Sequence, residues 1–394
     1  MTRTTTPQII PREAHTISRD DISPNALRVL YGLKDGGFSA YLVGGSVRDL
    51  LLGHHPKDFD VATNAHPEQI KPLFRRCILI GRRFRLAHVQ FGREIIEVAT
   101  FRADHSKAEQ EHEARLVGNL IVRDNVYGTI DEDAIRRDFT INSLYYNIQD
   151  FSVVSYCNGW EDLKNKQIRM IGDPVQRYQE DPARMLRAIR FAAKLDFNIE
   201  KETEKPLYEM GNLIHQIAPP RLFDETLKLF LKGHAENTFN LLLKYNLFSE
   251  LFPQTDPKQK LLQLAMQNSD KRINEGKSLT PSFIIAVLLW QPFLDAVKNS
   301  SIDDAIHTVL KKQIQLMTIP KRFTLAVEDM WRLQFRMKKR HRRTVQKVAT
   351  HPRFRAAYDF LLLRAESGED VRTTADWWLK FYNTERSIKP QDEV

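Results

Sequence analysis

The sequence is poor in cysteine: only Cys77 and Cys157 occur, with no CxxC pair and no cluster with histidine. This excludes a disulfide framework, argues against a zinc site and fits a reducing cytoplasm, which is the expected location. Nowhere do about eighteen uncharged apolar residues run together, so no membrane insertion is expected. The start, from Met1 to Asp20, is polar, is punctuated by Pro7 and Pro11 and lacks the apolar stretch of a signal peptide; a disordered N-terminus over residues 1–20 is expected. Gly276-Lys277-Ser278 lacks a glycine five positions upstream, which removes the P-loop reading. Neither repeats nor low-complexity tracts occur. What remains is a globular composition, 42% hydrophobic and 28% charged, in 394 residues, a length that favours more than one domain. The net charge of +9 points to a polyanionic partner, provided the cations cluster.

Periodicity changes character along the chain. Strands are predicted at 40–43, 59–62, 78–80, 88–91 and 94–101, interleaved with helices at 24–33, 47–52 and 67–74, which gives a mixed sheet with helices against it. Residues 103–125 lack an apolar period and read as a mobile surface loop. A helix is predicted over 133–146 and a last strand over 151–156. Beyond about residue 165 helical patterns dominate, beginning with a strong opening at Asp181-Pro182.

The chemistry concentrates near the start. Gly44 and Gly45 join an apolar strand to a helix whose predicted N-cap is Ser46, so bare backbone can approach phosphates, with Arg48 able to fork onto their oxygens. Asp58 and Asp60 follow at i and i+2 of a strand, share a face and can grip the same Mg²⁺. Nucleotidyl transfer needs charge neutralised on both the attacking and the leaving oxygen, which two Mg²⁺ ions do. A third acid from another element would complete the cage. Asp138 and Glu97 are the candidates, and sequence does not separate them.

The chain resembles, in order, the motifs of class II polymerase-beta-type nucleotidyltransferases: Gly44-Gly45-Ser46-Val47-Arg48-Asp49 with Gly53, then Asp58-Phe59-Asp60, then Arg136-Arg137-Asp138-Phe139-Thr140-Ile141-Asn142, then Glu180-Asp181-Pro182-Ala183-Arg184-Met185-Leu186-Arg187. The superfamily contains bacterial poly(A) polymerases and CCA-adding enzymes. The resemblance implies catalytic acids at Asp58, Asp60 and Asp138, nucleotide contacts from Arg136, Arg137, Asn142 and Arg187, and base reading by Asp181 with Arg184. An acceptor beside a donor matches the amino and ring-nitrogen edge of adenine or cytosine, and excludes guanine and uracil.

The run from Leu79 to Val89, with Arg82, Arg83 and Arg85, followed by Glu94 to Arg102, looks like the signature of the poly(A) polymerase branch; those arginines are expected to hold RNA. No His-Asp dipeptide occurs, although many CCA-adding enzymes carry a domain built on one. Unlike many poly(A) polymerases, the chain ends on Gln391-Asp392-Glu393-Val394 and not on a long basic tail. Cations instead cluster at Arg336-Met337-Lys338-Lys339-Arg340-His341-Arg342-Arg343, where Lys338, Lys339, Arg340, Arg342 and Arg343 are expected to bind the RNA backbone. Nearby, Trp377 and Trp378 either stack bases or pack.

The expected fold is α+β: a polymerase-beta-like nucleotidyltransferase head with a mixed sheet over about residues 21–165, an all-α neck over 166–235 and a C-terminal helical body over 236–394. The expected function is template-independent adenylyl transfer from ATP to RNA 3′ ends with two Mg²⁺ ions. A CCA-adding enzyme is the alternative, and a non-catalytic RNA-binding protein the alternative of another class.

Overall fold

The computed structural model describes residues 6–81, 85–103, 114–117, 120–124 and 126–388. It divides into two compact units, Met1–Arg184 with Phe197–Pro206, and Met185–Asp196 with Leu207–Val394.

The first unit is built on a mixed sheet, as predicted. Its strands are β1 (Gln8–Ile10), β2 (Ala40–Val43), β3 (Asp60–Thr63), β4 (Cys77–Ile80), β5 (Leu86–Phe91) and β6 (Glu94–Thr100), and, beyond a separate hairpin of β7 (Ala114–Val117) and β8 (Leu120–Asp124), β9 (Leu144–Asn147) and β10 (Val153–Ser155). The spatial order is β1-β10-β9-β2-β3-β6-β5-β4. β3 and β6 run parallel, and the other neighbours are antiparallel. Local chemistry sets the helices. Helix α1 (Pro24–Asp35) starts where the Ser23 side chain accepts from the Asn25 N–H, with proline in the first turn. Then come α2 (Gly45–Leu51), α3 (Pro67–Ile70), α4 (Ile130–Arg136), α5 (Gly159–Lys164) and α6 (Pro174–Glu180). Val43, Ala62, Phe101, Ala134, Tyr145 and Val154 close one core cluster, joining α4 to the central strands.

Several expectations change. Residues 8–10 are not a disordered lead: β1 pairs with β10, and Ile10 is buried, since two adjacent isoleucines favour an added edge strand. Part of the predicted loop at 103–125 forms the β7–β8 hairpin, with a register shift between Arg115 and Leu116. The helix predicted over 133–146 stops at Arg136. Arg137 turns extended (φ −62°, ψ 168°), Thr140–Asn142 make one 3₁₀ turn, and Leu144, Tyr145 and Tyr146 enter β9, a central strand that prefers aromatic residues.

Helix α7 (Ala183–Leu195) carries the boundary between the units, and a short pair, β11 (Gln167–Ile168) with β12 (Asn198–Ile199), precedes α8 (Lys201–Glu209). The second unit is otherwise helical: α9 (Pro219–Phe230), α10 (Ala235–Lys244), α11 (Leu247–Leu251), α12 (Lys260–Asn274), α13 (Pro281–Leu288), α14 (Trp290–Val297), α15 (Ile302–Leu316), α16 (Lys321–Met337), α17 (Arg342–Ala349), α18 (Phe354–Ser367) and α19 (Arg372–Ile388). At its centre Trp331 stacks on Phe293 with centroids 4.4 Å apart and donates its indole N–H to the Ala286 carbonyl at 3.0 Å. The buried Arg364 is satisfied by Gln334 and Glu369, each at 2.8 Å. No described helix is long and apolar enough to cross a membrane.

Gly159 opens α5 directly beneath the 3₁₀ turn. A Cβ there would meet the Thr140 carbonyl oxygen at 2.2 Å and its carbon at 2.9 Å, and backbone cannot yield as a side chain can. Gly159→Ala is therefore expected to destabilise the first unit by about 1–3 kcal/mol or more. A thermal melt checks this; an unchanged transition would contradict the packing described.

Candidate active site

Gly44 ends β2 with φ +72° and ψ −131°, a backbone that side chains disfavour, and the chain turns directly into α2. A Cβ on Gly44 would lie 3.4 Å from Arg137 Nη1, and one on Gly45 3.5 Å from Arg48 Nη2. The glycine pair therefore keeps the turn bare where two guanidinium groups converge. Gly44, and not Ser46, occupies the cap position. Ser46 is buried within the first turn and donates its hydroxyl to the Val43 carbonyl at 3.0 Å. Arg48 is also buried. Its Nε and Nη2 donate to Asp49 Oδ1 at 2.8 and 2.6 Å, and its Nη1 donates to Asn142 Oδ1 at 2.6 Å.

Beyond α2, Phe59 is buried while Asp58 and Asp60 are exposed; β3 opens only at Asp60, so Asp58 precedes the strand rather than sharing it, and its charge acts on Asp60. Sheet register supplies a third carboxylate. Val43 pairs with Asp60, Asp60 with Glu97 and Glu97 with His88, which draws one row across β2, β3, β6 and β5 on a single face. Neighbours in such a row sit roughly 5 Å apart. The Asp60 carboxyl is pushed up to about 6, first by burial, then by the Glu97 and Asp58 carboxylates, with Arg137 acting in the opposite direction. The side chain still meets solvent, which weakens both the burial and the charge contributions. His88 Nε2 lies 3.3 Å from Glu97 Oε1. Among the described residues no three His, Cys, Asp or Glu side chains close into a finished metal cage. An Mg²⁺ site completed by substrate phosphates does not need one, since this ion is held by one or two carboxylates plus phosphate oxygens. Hard oxygen donors under mutual repulsion are a fitting set for such a cation.

Arg137 faces the acids from the far side of the glycine turn. It donates to Asp133 Oδ2 at 3.0 Å and to the Tyr145 hydroxyl at 2.9 Å, while the Tyr145 hydroxyl donates to the same Asp133 oxygen at 2.8 Å. Burial pushes the Asp133 carboxyl up, but Arg137 and the tyrosine hydroxyl outweigh it and hold Asp133 below the usual carboxylate range. Asp138 Oδ1 accepts from the Phe139 N–H at 2.8 Å and from Asn142 Nδ2 at 3.1 Å. It thus belongs to the chain Asp49–Arg48–Asn142–Asp138, whereas the charges acting on Asp60 are those of Glu97, Arg137 and Asp58. Arg136 donates to the Ala103 carbonyl at 3.3 Å.

Asp181 accepts from the Ala183 N–H at 3.3 Å as α7 begins, and Arg184 Nη1 donates to the Arg177 carbonyl at 2.8 Å and to Glu180 at 3.2 Å. Sequence reasoning missed Arg177. Its Nη2 donates to the carbonyls of Arg136 and Arg137 at 2.6 and 2.7 Å, tying α6 to the extended segment that carries the site. The available signal was its place one turn into a helix opened by Asp173-Pro174. Arg187 falls in the second unit, over the Phe191 ring at 5.2 Å. Arg85 pairs with Glu68 at 2.6 Å, and Arg82 and Arg83 lie outside the described residues. Lys338, Lys339, Arg340, Arg342 and Arg343 are exposed where α16 gives way to α17.

The chain matches the family described as Poly A polymerase head domain over residues 40–169, the probable RNA and SrmB-binding site of polymerase A over 196–259, and the polymerase A arginine-rich C-terminus over 295–393. It is 46% identical to Poly(A) polymerase I of Escherichia coli (strain CFT073) across 95% of this chain and 85% of that protein. The CCA-adding enzyme of Lactobacillus helveticus is 40% identical, over 63% of this chain and 59% of that protein. Among solved structures, the Bacillus stearothermophilus CCA-adding enzyme in complex with CTP aligns with a TM-score of 0.64 at 22% identity, over 93% of this chain and 88% of that one, a likeness of fold.

The raised Asp60 carboxyl has a stability consequence. Its folded-state value lies above the unfolded one, so its contribution is lost as pH rises from about 4 through about 6. In metal-free protein, Asp60→Asn is expected to raise Tm by roughly 2 °C at pH 8, with the gain shrinking between pH 6 and 4. Melts in chelator across that range check it; a variant less stable than wild type at pH 8 would contradict the repulsion inferred.

Proposed function

The chain belongs to the poly(A) polymerase family, and on that premise we propose that its first unit carries adenylyl transfer from ATP to RNA 3′ ends through the acids Asp58, Asp60 and Glu97. It is a nucleotidyltransferase of the polynucleotide adenylyltransferase kind. The RNA 3′-hydroxyl attacks the α-phosphate of ATP, a phosphorus–oxygen bond forms, the bond to the bridging oxygen breaks and pyrophosphate leaves, with no nucleic acid template.

Two Mg²⁺ ions, when bound, neutralise charge building on the attacking and leaving oxygens. Asp58 and Asp60 are the proposed ligands, and Glu97 the third acid, because the β3–β6 register sets it beside Asp60. Asp138 takes a positioning role. It holds Asn142, which holds Arg48 behind the turn. The bare backbone of Gly44 and Gly45 leaves room for the triphosphate, with Arg137 and Arg48 within reach of that space and Arg136 nearby in the chain. Asp181 with Arg184 reads the adenine edge, an acceptor and a donor fixed at the start of α7. Arg187 continues that helix. The exposed cations from Lys338 to Arg343 hold RNA backbone, and Arg85, which pairs with Glu68 at the surface, is a further candidate for phosphate contact. The functional division into head, neck and body is retained as part of this reading. A cytoplasmic location fits two free thiols.

The observation that carries the reading is the row of acids facing a glycine turn backed by two guanidinium groups. Purified protein given each nucleotide in turn, with an unstructured RNA and with a tRNA lacking its CCA end, is expected to make long tails from ATP alone; a three-nucleotide, CTP-dependent product would overturn it in favour of CCA addition. Asp58→Ala is expected to reduce extension to background, whereas Asp138→Asn, one shell removed, costs about 10–100-fold. Undiminished extension by Asp58→Ala would contradict the metal assignment.

A further inference from the structure

On the second unit, aromatic side chains stand beside the exposed cations of Lys338 to Arg343. Other arginines of this unit are neutralised: Arg332 by Asp303 at 3.0 Å, Arg355 by Asp359 at 3.1 Å and Arg372 by Asp376 at 3.3 Å. Among the described residues Lys338, Lys339, Arg340, Arg342 and Arg343 form no ion pair. Beside these unpaired cations stands an aromatic column. Trp378 is fully buried and donates its indole N–H to the Met337 carbonyl at 3.0 Å, pinning α19 to the end of α16. Its neighbour Trp377 is thereby held, half-buried, under Arg340, whose guanidinium lies 4.3 Å from the indole centroid. Phe381, one turn along α19, stacks on the same indole at 5.5 Å and 10°.

We propose that the Arg340–Trp377–Phe381 column is a base-stacking station for single-stranded RNA, lying along the cationic run that tracks its phosphates. The inference rests on reading that run as RNA-binding and adds a distinct component to it. Unpaired cations make a polyanion the fitting occupant. A flat guanidinium over an indole at the protein surface offers what an unpaired base stacks on, and what a base inside a duplex cannot reach. Stacking releases no counterions, so it separates from charge by its salt dependence. Trp378 plays no part beyond fixing the platform, which answers for each tryptophan whether it packs or stacks.

Binding of the full chain to labelled oligo(A) and to an RNA duplex, measured across salt concentrations, tests this. Trp377→Ala and the bulk-retaining Trp377→Leu are expected to weaken oligo(A) binding about five- to a hundredfold at an unchanged salt slope, to leave duplex binding within about twofold, and to be rescued by Trp377→Phe. The combined Lys338→Glu, Arg342→Glu, Arg343→Glu variant is expected to flatten the slope for both RNAs. If that triple variant binds RNA like wild type, the cationic run is not an RNA surface and the proposal falls with it, leaving an acidic protein as the fitting partner. If the slope flattens but Trp377→Leu binds oligo(A) normally, or loses both RNAs equally, the stacking station alone is refuted.

Discussion

Everything at the site depends on holding like charges together. Asp58, Asp60 and Glu97 carry like charge, and the Asp60 carboxyl is raised first by burial and then by its two acidic neighbours. Strand register holds two of them together: Asp60 faces Glu97 across β3–β6 and Val43 across β2–β3, with Asp58 two residues before β3. Slipping either strand by one residue would move an acid to the opposite face and drag Val61 or Val98, both wholly buried, into the open. The hydrophobic faces of the sheet thus enforce an arrangement that electrostatics alone would disperse. A divalent cation held there, as proposed, would relieve the repulsion.

A second constraint holds the counter-charge. Arg137 is locked by Asp133 one helical turn back and by Tyr145 in β9, and that geometry requires the chain to leave the helix at Arg137. The extended segment that results is braced from two sides. Arg177 donates to its carbonyls, and Thr140 donates to the buried Asp162, which also accepts from Arg169. Gly159 lets α5 approach closely enough for this to happen. The segment 136–142 is therefore irregular because its side chains are over-determined, as expected where a site is assembled.

Much of this was legible in the sequence because it is local. A glycine pair after an apolar strand, and two acids at alternate positions around Phe59, announce their geometry within a few residues. Glu97 was not separable from Asp138, since its place beside Asp60 rests on pairing between strands more than thirty residues apart, which no local pattern displays. The helix expected over 133–146 failed for a related reason. Ala134, Ile135, Phe139 and Ile141 have a helical look, but the aromatic pair Tyr145–Tyr146 is worth more inside a central strand. Ser46 reads as a cap by composition, yet Gly44, with its positive φ, already turns the chain, and the serine is left to satisfy Val43. The strand at the N-terminus was hidden by the polar residues around Ile9 and Ile10.

The most direct test is anomalous scattering from crystals grown with Mn²⁺ and a non-hydrolysable ATP analogue. The account predicts metal peaks bounded by the carboxylates of Asp58, Asp60 and Glu97, with the triphosphate along Gly44 and Gly45. Metal held by Asp138 in place of Glu97, or bound away from Asp58 and Asp60 altogether, would contradict it.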